Sequence, residues 1–281
     1  MVDVAVRAES LGFDSVQVSD HLFLDIERYG GPAGRFPTPE AFGLLHAVAA
    51  ATDRIGLGTL VLCAPFRNPG VLELQVRTLQ DASGGRFTCG IGAGWYEDEF
   101  AHAGLSFGTA GQRIDAMRAA AERLHAAGDA RIIIGGKGGP RILDAVASVA
   151  HGWNVCWRST PAFVRERRDA LEKRCADLGR DATEVEVTVG LYTLLGRDAD
   201  DLARRYDAMR AWTPGGALQE LPLARWADSA LVGTIDELVP LVRAFADAGV
   251  SELIVSPASL PFALTDASQL DLIAELKAAA A

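Results

Sequence analysis

The chain has 281 residues, 49% hydrophobic and 23% charged, with a net charge of −10 and a sequence pI of about 5.0. This length and apolar content allow a large core in one α/β domain. The acidic balance argues against nucleic acid and anionic membrane as partners, and no apolar run reaches membrane-spanning length.

In chain order, a helix over Val2–Leu11 leads through Gly12 into a strand over Ser15–Ser19, where Val16 and Val18 alternate with polar residues. Thr38 is read as an N-cap with Pro39 at the first helical position. A strand is expected over Ile55–Leu62, and Asn68-Pro69 opens the next helix. Then come a strand over Phe87–Gly92, a helix over Gln112–His125, a strand over Arg131–Gly135 and a helix over Pro140–Ala150. The pattern continues with a strand over Gly152–Cys156, a helix over Pro161–Leu178, a strand over Glu184–Leu194 and a helix over Asp198–Arg210. A helix over Ile235–Ala248 and a strand over Glu252–Ser256 complete it. Repeated β-then-α order implies parallel strands covered by helices.

A faint repeat supports one architecture. Ala8–Ser19 and Phe245–Ser256 both read as helix end, glycine, strand, serine. Such a unit suits a (β/α)8 TIM-type barrel, with an open doubly wound sheet as the rival. Seven strands are read where a closed barrel has eight, so the barrel is expected to lack its first strand. No Ser/Gly/Pro tract divides residues 1–281, which are read as a single domain. No basic segment followed by an apolar block marks a signal peptide. Cys63, Cys89, Cys156 and Cys175 form no C-x-x-C pair and are read as reduced thiols of a cytoplasmic protein. The five histidines show no ligand spacing, so no metal is expected.

Four stretches carry candidate chemistry. Asp20-His21 falls at the tip of the first strand. Barrel active sites lie at such tips, and an imidazole can exchange a proton near neutral pH. A surface-loop histidine beside a turn aspartate is the alternative. The strand around Gly56, Gly58, Thr59, Leu60 and Val61 admits a close neighbour through its glycines, either a ligand or a tight interior. Gly90, Gly92, Ala93 and Gly94 clear space at another tip, and Trp95 offers a flat face there, unless it is a core aromatic. Finally, Gly135-Gly136-Lys137-Gly138-Gly139-Pro140 runs from a strand into a helix start. Backbone N–H groups there, with a lysine nearby, favour a phosphate over a plain turn. The pattern matches neither a Walker loop nor G-x-G-x-x-G.

The ordered set resembles the bacterial luciferase-like flavin and deazaflavin oxidoreductases. The resemblance rests on Leu11–His21, Arg54–Pro69, Ser83–Phe100, Ile134–Arg141 with His151-Gly152-Trp153-Asn154, and the Ala248–Ser256 ending. It is nearest the branch that depends on the deazaflavin coenzyme F420. It implies hydride transfer between coenzyme F420 and a small organic substrate, with His21 as proton donor or acceptor and Asp20 orienting. It also implies a non-prolyl cis peptide at Leu60-Val61, with Thr59 beside it. The Gly92–Trp95 tip would border the ring and the Gly135–Pro140 loop would bind the cofactor phosphate. A homodimer is expected, because members of this family commonly are dimers. An FMN-dependent monooxygenase and a degenerate, non-catalytic flavin-binding protein are the alternatives. The family's usual insertion before the fifth strand is missing, since Leu124-His125 passes almost directly to Arg131. Trp95 stands where a branch acting on sugar phosphates has an acidic residue, which argues against that substrate class.

Overall fold

Glycine ends the first helix as the sequence repeat implies. In the computed structural model, which describes residues 1–25, 27, 34–213, 218, 220–258 and 266–281, α1 (Val2–Ser10) gives way to Gly12 at φ +78°. The Phe13 N–H reaches back to Ala8 O at 3.1 Å. At the other end of the chain Gly249 takes φ +85°, and the Val250 N–H reaches Phe245 O at 3.0 Å. The two repeats thus share one helix-ending motif, down to the bond that spans five residues.

The chain folds as two compact units. Met1–Phe23, Thr38–Val155 and Arg167–Val187 form the first; Leu24–Pro37, Cys156–Glu166 and Thr188–Ala281 form the second. After α1 come β1 (Ser15–Val18), two short strands the sequence does not announce, β2 (Phe23–Asp25) and β3 (Arg35–Pro37), and α2 (Ala41–Ala51). Then follow β4 (Gly56–Thr59), β5 (Leu62–Cys63), α3 (Pro69–Ala82), β6 (Phe87–Gly92), α4 (Glu97–His102) and α5 (Ala110–Ala127). β7 (Arg131–Gly135), α6 (Pro140–Val149), β8 (Gly152–Trp157) and α7 (Pro161–Asp177) come next. The remainder holds β9 (Glu186–Gly196), α8 (Ala199–Trp212), α9 (Leu223–Trp226), β10 (Leu231–Thr234), α10 (Ile235–Asp247), β11 (Glu252–Ser256) and α11 (Ser268–Ala280).

In the first unit every recorded strand pairing is parallel. Val18 faces Thr59 across β1 and β4, Ile91 faces Ile134 across β6 and β7, and Gly135 faces Asn154 across β7 and β8. This register sets the C-terminal tips of β1, β4, β6 and β7 along one edge. Leu45, Leu62, Leu72, Leu79 and Ile91 are fully buried between sheet and helices, each stabilising the fold by about 1.5–3 kcal/mol. Arg86 closes the opposite edge. Its guanidinium donates to Ala49 O, Thr52 O, Thr52 Oγ1, Ile55 O and Ser83 O, all within 3.0 Å. It thereby satisfies carbonyls left open where α2 and α3 end.

In the second unit β9 holds two partners along its length. β11 pairs parallel with its first part, Thr188–Tyr192, and β10 with its last, Thr193–Gly196. Leu194, Tyr206, Met209, Leu218 and Trp226 form one buried cluster there, and the Tyr206 hydroxyl donates to Leu221 O at 2.8 Å.

Three sequence expectations are corrected. Helix α2 is capped by Glu40, whose carboxylate accepts the Gly43 N–H at 2.6 Å, and starts at Ala41. Thr38 cannot serve as N-cap because its hydroxyl is bonded to His21 O. The single strand expected over Ile55–Leu62 is two, β4 and β5, separated at a cis Leu60-Val61 peptide. Strand β10 was not foreseen: it is four residues long, contains Gly233, and runs straight into a capping box at Thr234. The short link before β7 is as expected, with α5 ending at Ala127, Gly128 left-handed at φ +70°, and β7 starting at Arg131. Among the described residues no helix is long and apolar enough to cross a membrane.

Candidate active site

The strand tips of the first unit bring Asp20, His21, Val61, Gly92, Gly94 and Gly135 to one edge. Asp20 and His21, adjacent in sequence, have different partners. Asp20 is 7% exposed. It holds Arg67 in a two-pronged pair, Nη1 to Oδ2 at 2.5 Å and Nη2 to Oδ1 at 2.8 Å, and accepts the Cys63 N–H at 2.9 Å. Arg67 also reaches Glu40 at 3.2 Å. Burial disfavours charge on Arg67, but Asp20 and Glu40 more than offset it and raise its pKa. Burial, reinforced by the Asp20 charge, pushes the Cys63 thiol up to about 12. Asp20 therefore ties the tips of β1 and β5 to the start of α3.

His21 turns to a different carboxylate. Its Nδ1 lies 2.9 and 3.0 Å from the two oxygens of Glu99. Glu99, 3% exposed, also accepts the Leu22 N–H at 2.7 Å. An ionised carboxylate only accepts, so the pair sets the imidazole with its proton on Nδ1. The Trp95 ring stands edge-on to His21 at 6.0 Å and stacks on Tyr96 at 5.5 Å. Trp95 is 54% exposed, so it is not the core aromatic that its sequence setting also allows.

The glycines of the tips are largely explained by one side chain. Val61 follows the cis peptide, and a Cβ on Gly92 would come within 2.6 Å of it. A Cβ on Gly135 would come within 2.9 Å of it, whereas one on Gly90 would meet the Thr59 carbonyl oxygen first. Part of the space that the sequence reserves at these tips is filled by Val61. Gly94 takes φ +73°, and a Cβ there would meet Cys63 Sγ at 2.6 Å. Thr59 is turned inward, its hydroxyl donating to Gly90 O at 2.8 Å.

The loop Gly135–Pro140 lies over Trp153, whose indole N–H donates to Gly136 O at 2.8 Å. Gly138, at φ +69°, has Trp153 at 3.0 Å and Arg167 at 3.2 Å from where a Cβ would stand. Gly139 is the N-cap of the ten-residue α6 with no side-chain cap, and Pro140 holds the first position. That helix start is open to an acceptor supplied from outside. Lys137 is exposed beside it.

Sequence reasoning missed Glu99 and Arg67. Glu99 lies in the acidic run Glu97-Asp98-Glu99, which opens α4 and reads as charge complementing a helix N-terminus. Nothing in that run marks which of the three is buried. Arg67 precedes an Asn-Pro cap and reads as loop.

Parallel strands wrapped by helices, with the polar groups gathered at the C-terminal strand tips, define an α/β protein of the (β/α)8-barrel class. A family model described as luciferase-like monooxygenase matches residues 1–252, and the chain belongs to that family. It is similar to an F420-dependent glucose-6-phosphate dehydrogenase of Amycolatopsis mediterranei, 40% identical over 119 residues, 42% of this chain and 34% of that protein. A protein of the same name from Microbacterium testaceum is 28% identical over an alignment covering 90% of this chain and 86% of its own length. The chain thus spans about a third of the A. mediterranei relative and most of the M. testaceum one. Among solved structures it resembles an F420-dependent secondary alcohol dehydrogenase in complex with an F420-acetone adduct (TM-score 0.80, 18% identity, 100% of this chain and 94% of that one). It also resembles a long-chain alkane monooxygenase (TM-score 0.76, 12% identity, 99% and 83%).

Proposed function

We propose that this protein is an oxidoreductase that transfers a hydride between coenzyme F420 and a small organic substrate. The observation that carries the reading is the His21–Glu99 pair at a strand tip, beside an exposed Trp95. The names of the relatives support F420 as the cofactor. The residues present fit such a group: the α6 start and the Gly136–Gly139 backbone offer donors to a phosphate, and Lys137 adds charge nearby. When bound, the reduced deazaflavin supplies the hydride. Glu99 holds the imidazole by its Nδ1–H and would stabilise the doubly protonated ring, from which Nε2 would give a proton to the substrate and then take one back from solvent. Asp20 acts at one remove, fixing Arg67 and the β5 tip that carries Cys63. Thr59, Leu60 and Val61 and the Gly92, Ala93, Gly94 and Trp95 tip would hold the ring.

In this reading residues 1–281 act as one catalytic domain, in the cytoplasm, as a homodimer. The test is titration of the purified protein with coenzyme F420 and, separately, with FMN, followed by absorbance. Binding of F420 at least about tenfold tighter than FMN is expected. The reverse order would favour an FMN-dependent monooxygenase, a reading that the family description and the alkane monooxygenase likeness keep in view. Binding of neither would leave a non-catalytic barrel.

A further inference from the structure

The second unit carries a cleft that no part of the redox reading uses. Its volume is ≈ 760 Å³, within the range of small-molecule sites. Leu202, Leu223, Val232, Leu238 and Leu241 contribute apolar walls. Ser159 lines the same cleft. It is 7% exposed, and its buried hydroxyl has no hydrogen-bond partner. A buried hydroxyl left unmatched is costly and calls for an explanation. Its backbone is already fixed, with the Ser159 N–H donating to Ser229 O at 3.1 Å. The next residue, Thr160, accepts the Phe163 N–H on its side chain at 3.2 Å and so caps α7. The unmatched hydroxyl therefore sits immediately before the positive end of a 17-residue helix.

The charges around the cleft narrow the choice of ligand. Arg225 lines it and pairs with no carboxylate among the described residues. Two carboxylates also line it. Glu237 is committed to the Thr234 cap, accepting its N–H at 2.8 Å and its hydroxyl at 2.9 Å. Asp228 accepts the Ser229 hydroxyl at 3.2 Å. Arg225 and the helix end do not outweigh these two acids, so the cleft has room for at most one negative charge, placed at Arg225, and a dianion would be repelled.

We propose that this cleft binds a small monocarboxylate with an apolar body. The carboxylate takes the Ser159 hydroxyl and Arg225 at the α7 start, and the chain or ring lies against the leucines. The proposal does not depend on the cofactor reading. The probes are octanoate, 1-octanol and octyl phosphate, titrated calorimetrically into the full chain. Octanoate is expected to saturate below about 1 mM, with 1-octanol and octyl phosphate each weaker by about tenfold. Ser159→Ala and Arg225→Gln, checked for folding by circular dichroism, should each weaken octanoate by about fivefold or more. The proposal is overturned if octanoate does not saturate by about 10 mM. It also fails if the folded variants both bind like the parent, or if either other probe matches octanoate.

Discussion

At the scale of single residues, the neighbours Asp20 and His21 do different work because each answers to a partner far along the chain. Asp20 meets Arg67 and His21 meets Glu99. The sequence places both at a strand tip, since strand alternation and a tip position are local signals. It cannot name their partners, because pairing across 47 or 78 residues leaves no local trace. His21→Ala is expected to lower turnover by about a hundredfold with cofactor affinity kept. Glu99→Gln should also lower turnover while leaving cofactor affinity unchanged, since it loosens the ring without removing it; steady-state kinetics and a binding titration check both. Unchanged turnover in His21→Ala would reduce His21 to a surface-loop residue. The thiols give a second expectation. Burial pushes Cys89, like Cys63, up to about 12, so at pH 8 only about one molecule in ten thousand carries either thiolate. In the native protein a thiol reagent should find Cys156 first, and all four thiols only after unfolding. Rapid native labelling of Cys63 would contradict its burial.

At the scale of elements, Arg86 and the Gly135–Pro140 loop make contrasting cases. Arg86 follows the Ser-Gly-Gly turn, where the sequence shows a turn but not a clamp. Its bonds to the ends of α2 and α3 form only once both helices have docked. Arg86→Ala leaves several half-buried carbonyls unmatched and is expected to lose about 2–3 kcal/mol, read from denaturant unfolding. A loss below about 0.5 kcal/mol would mean that water replaces the clamp. The glycine loop, by contrast, reads from sequence as a candidate anion site, because glycines before a proline-started helix are a local signal, and the structure adds a helix start with no side-chain cap. What was not legible was Trp153 beneath it, which accounts for part of the glycine requirement at Gly138. Gly138→Val is expected to abolish cofactor binding, whereas Lys137→Ala weakens it by about tenfold, 1.4 kcal/mol. A folded Gly138→Val that binds like the parent would make the loop a turn.

At the scale of the whole molecule, the strand–helix order was legible in the main, and three strands were read with the bounds they have: Phe87–Gly92, Arg131–Gly135 and Glu252–Ser256. Most misses are short pieces, β2, β3, β10, α4 and α9, too brief to show a period; the 13-residue α11 was also missed. The titrating groups give a global expectation. Glu9 accepts the N–H groups of Asp53, Arg54 and Ile55, and those backbone bonds lower its pKa. Backbone bonds likewise lower Asp181, Asp201 and Glu237. Burial, joined by Arg131 and His125, lowers His151, whose Nδ1 accepts the Ile132 N–H. For each group the unfolded chain takes up its proton first as pH falls, so stability drops with acidification. The His151 contribution begins to be lost below its ordinary value of 6.5, and the carboxylate contributions below 4.5 and 3.8. Thermal midpoints should fall from pH 7 to pH 3, first through His151 and then, below about 4.5, through the carboxylates. Glu9→Gln should flatten the lower part of that curve, and an unchanged slope would remove Glu9 from the account.

Val61 has a consequence for the family's history. Its two methyls rest where side chains from β6 and β7 would otherwise stand, so positions 61, 92 and 135 can only drift together. A relative that gains a methyl at 92 or 135 must first have lost one at 61. Substitutions at these three places should therefore travel as a set between lineages, with Gly92→Ala tolerated in this chain only alongside Val61→Ala.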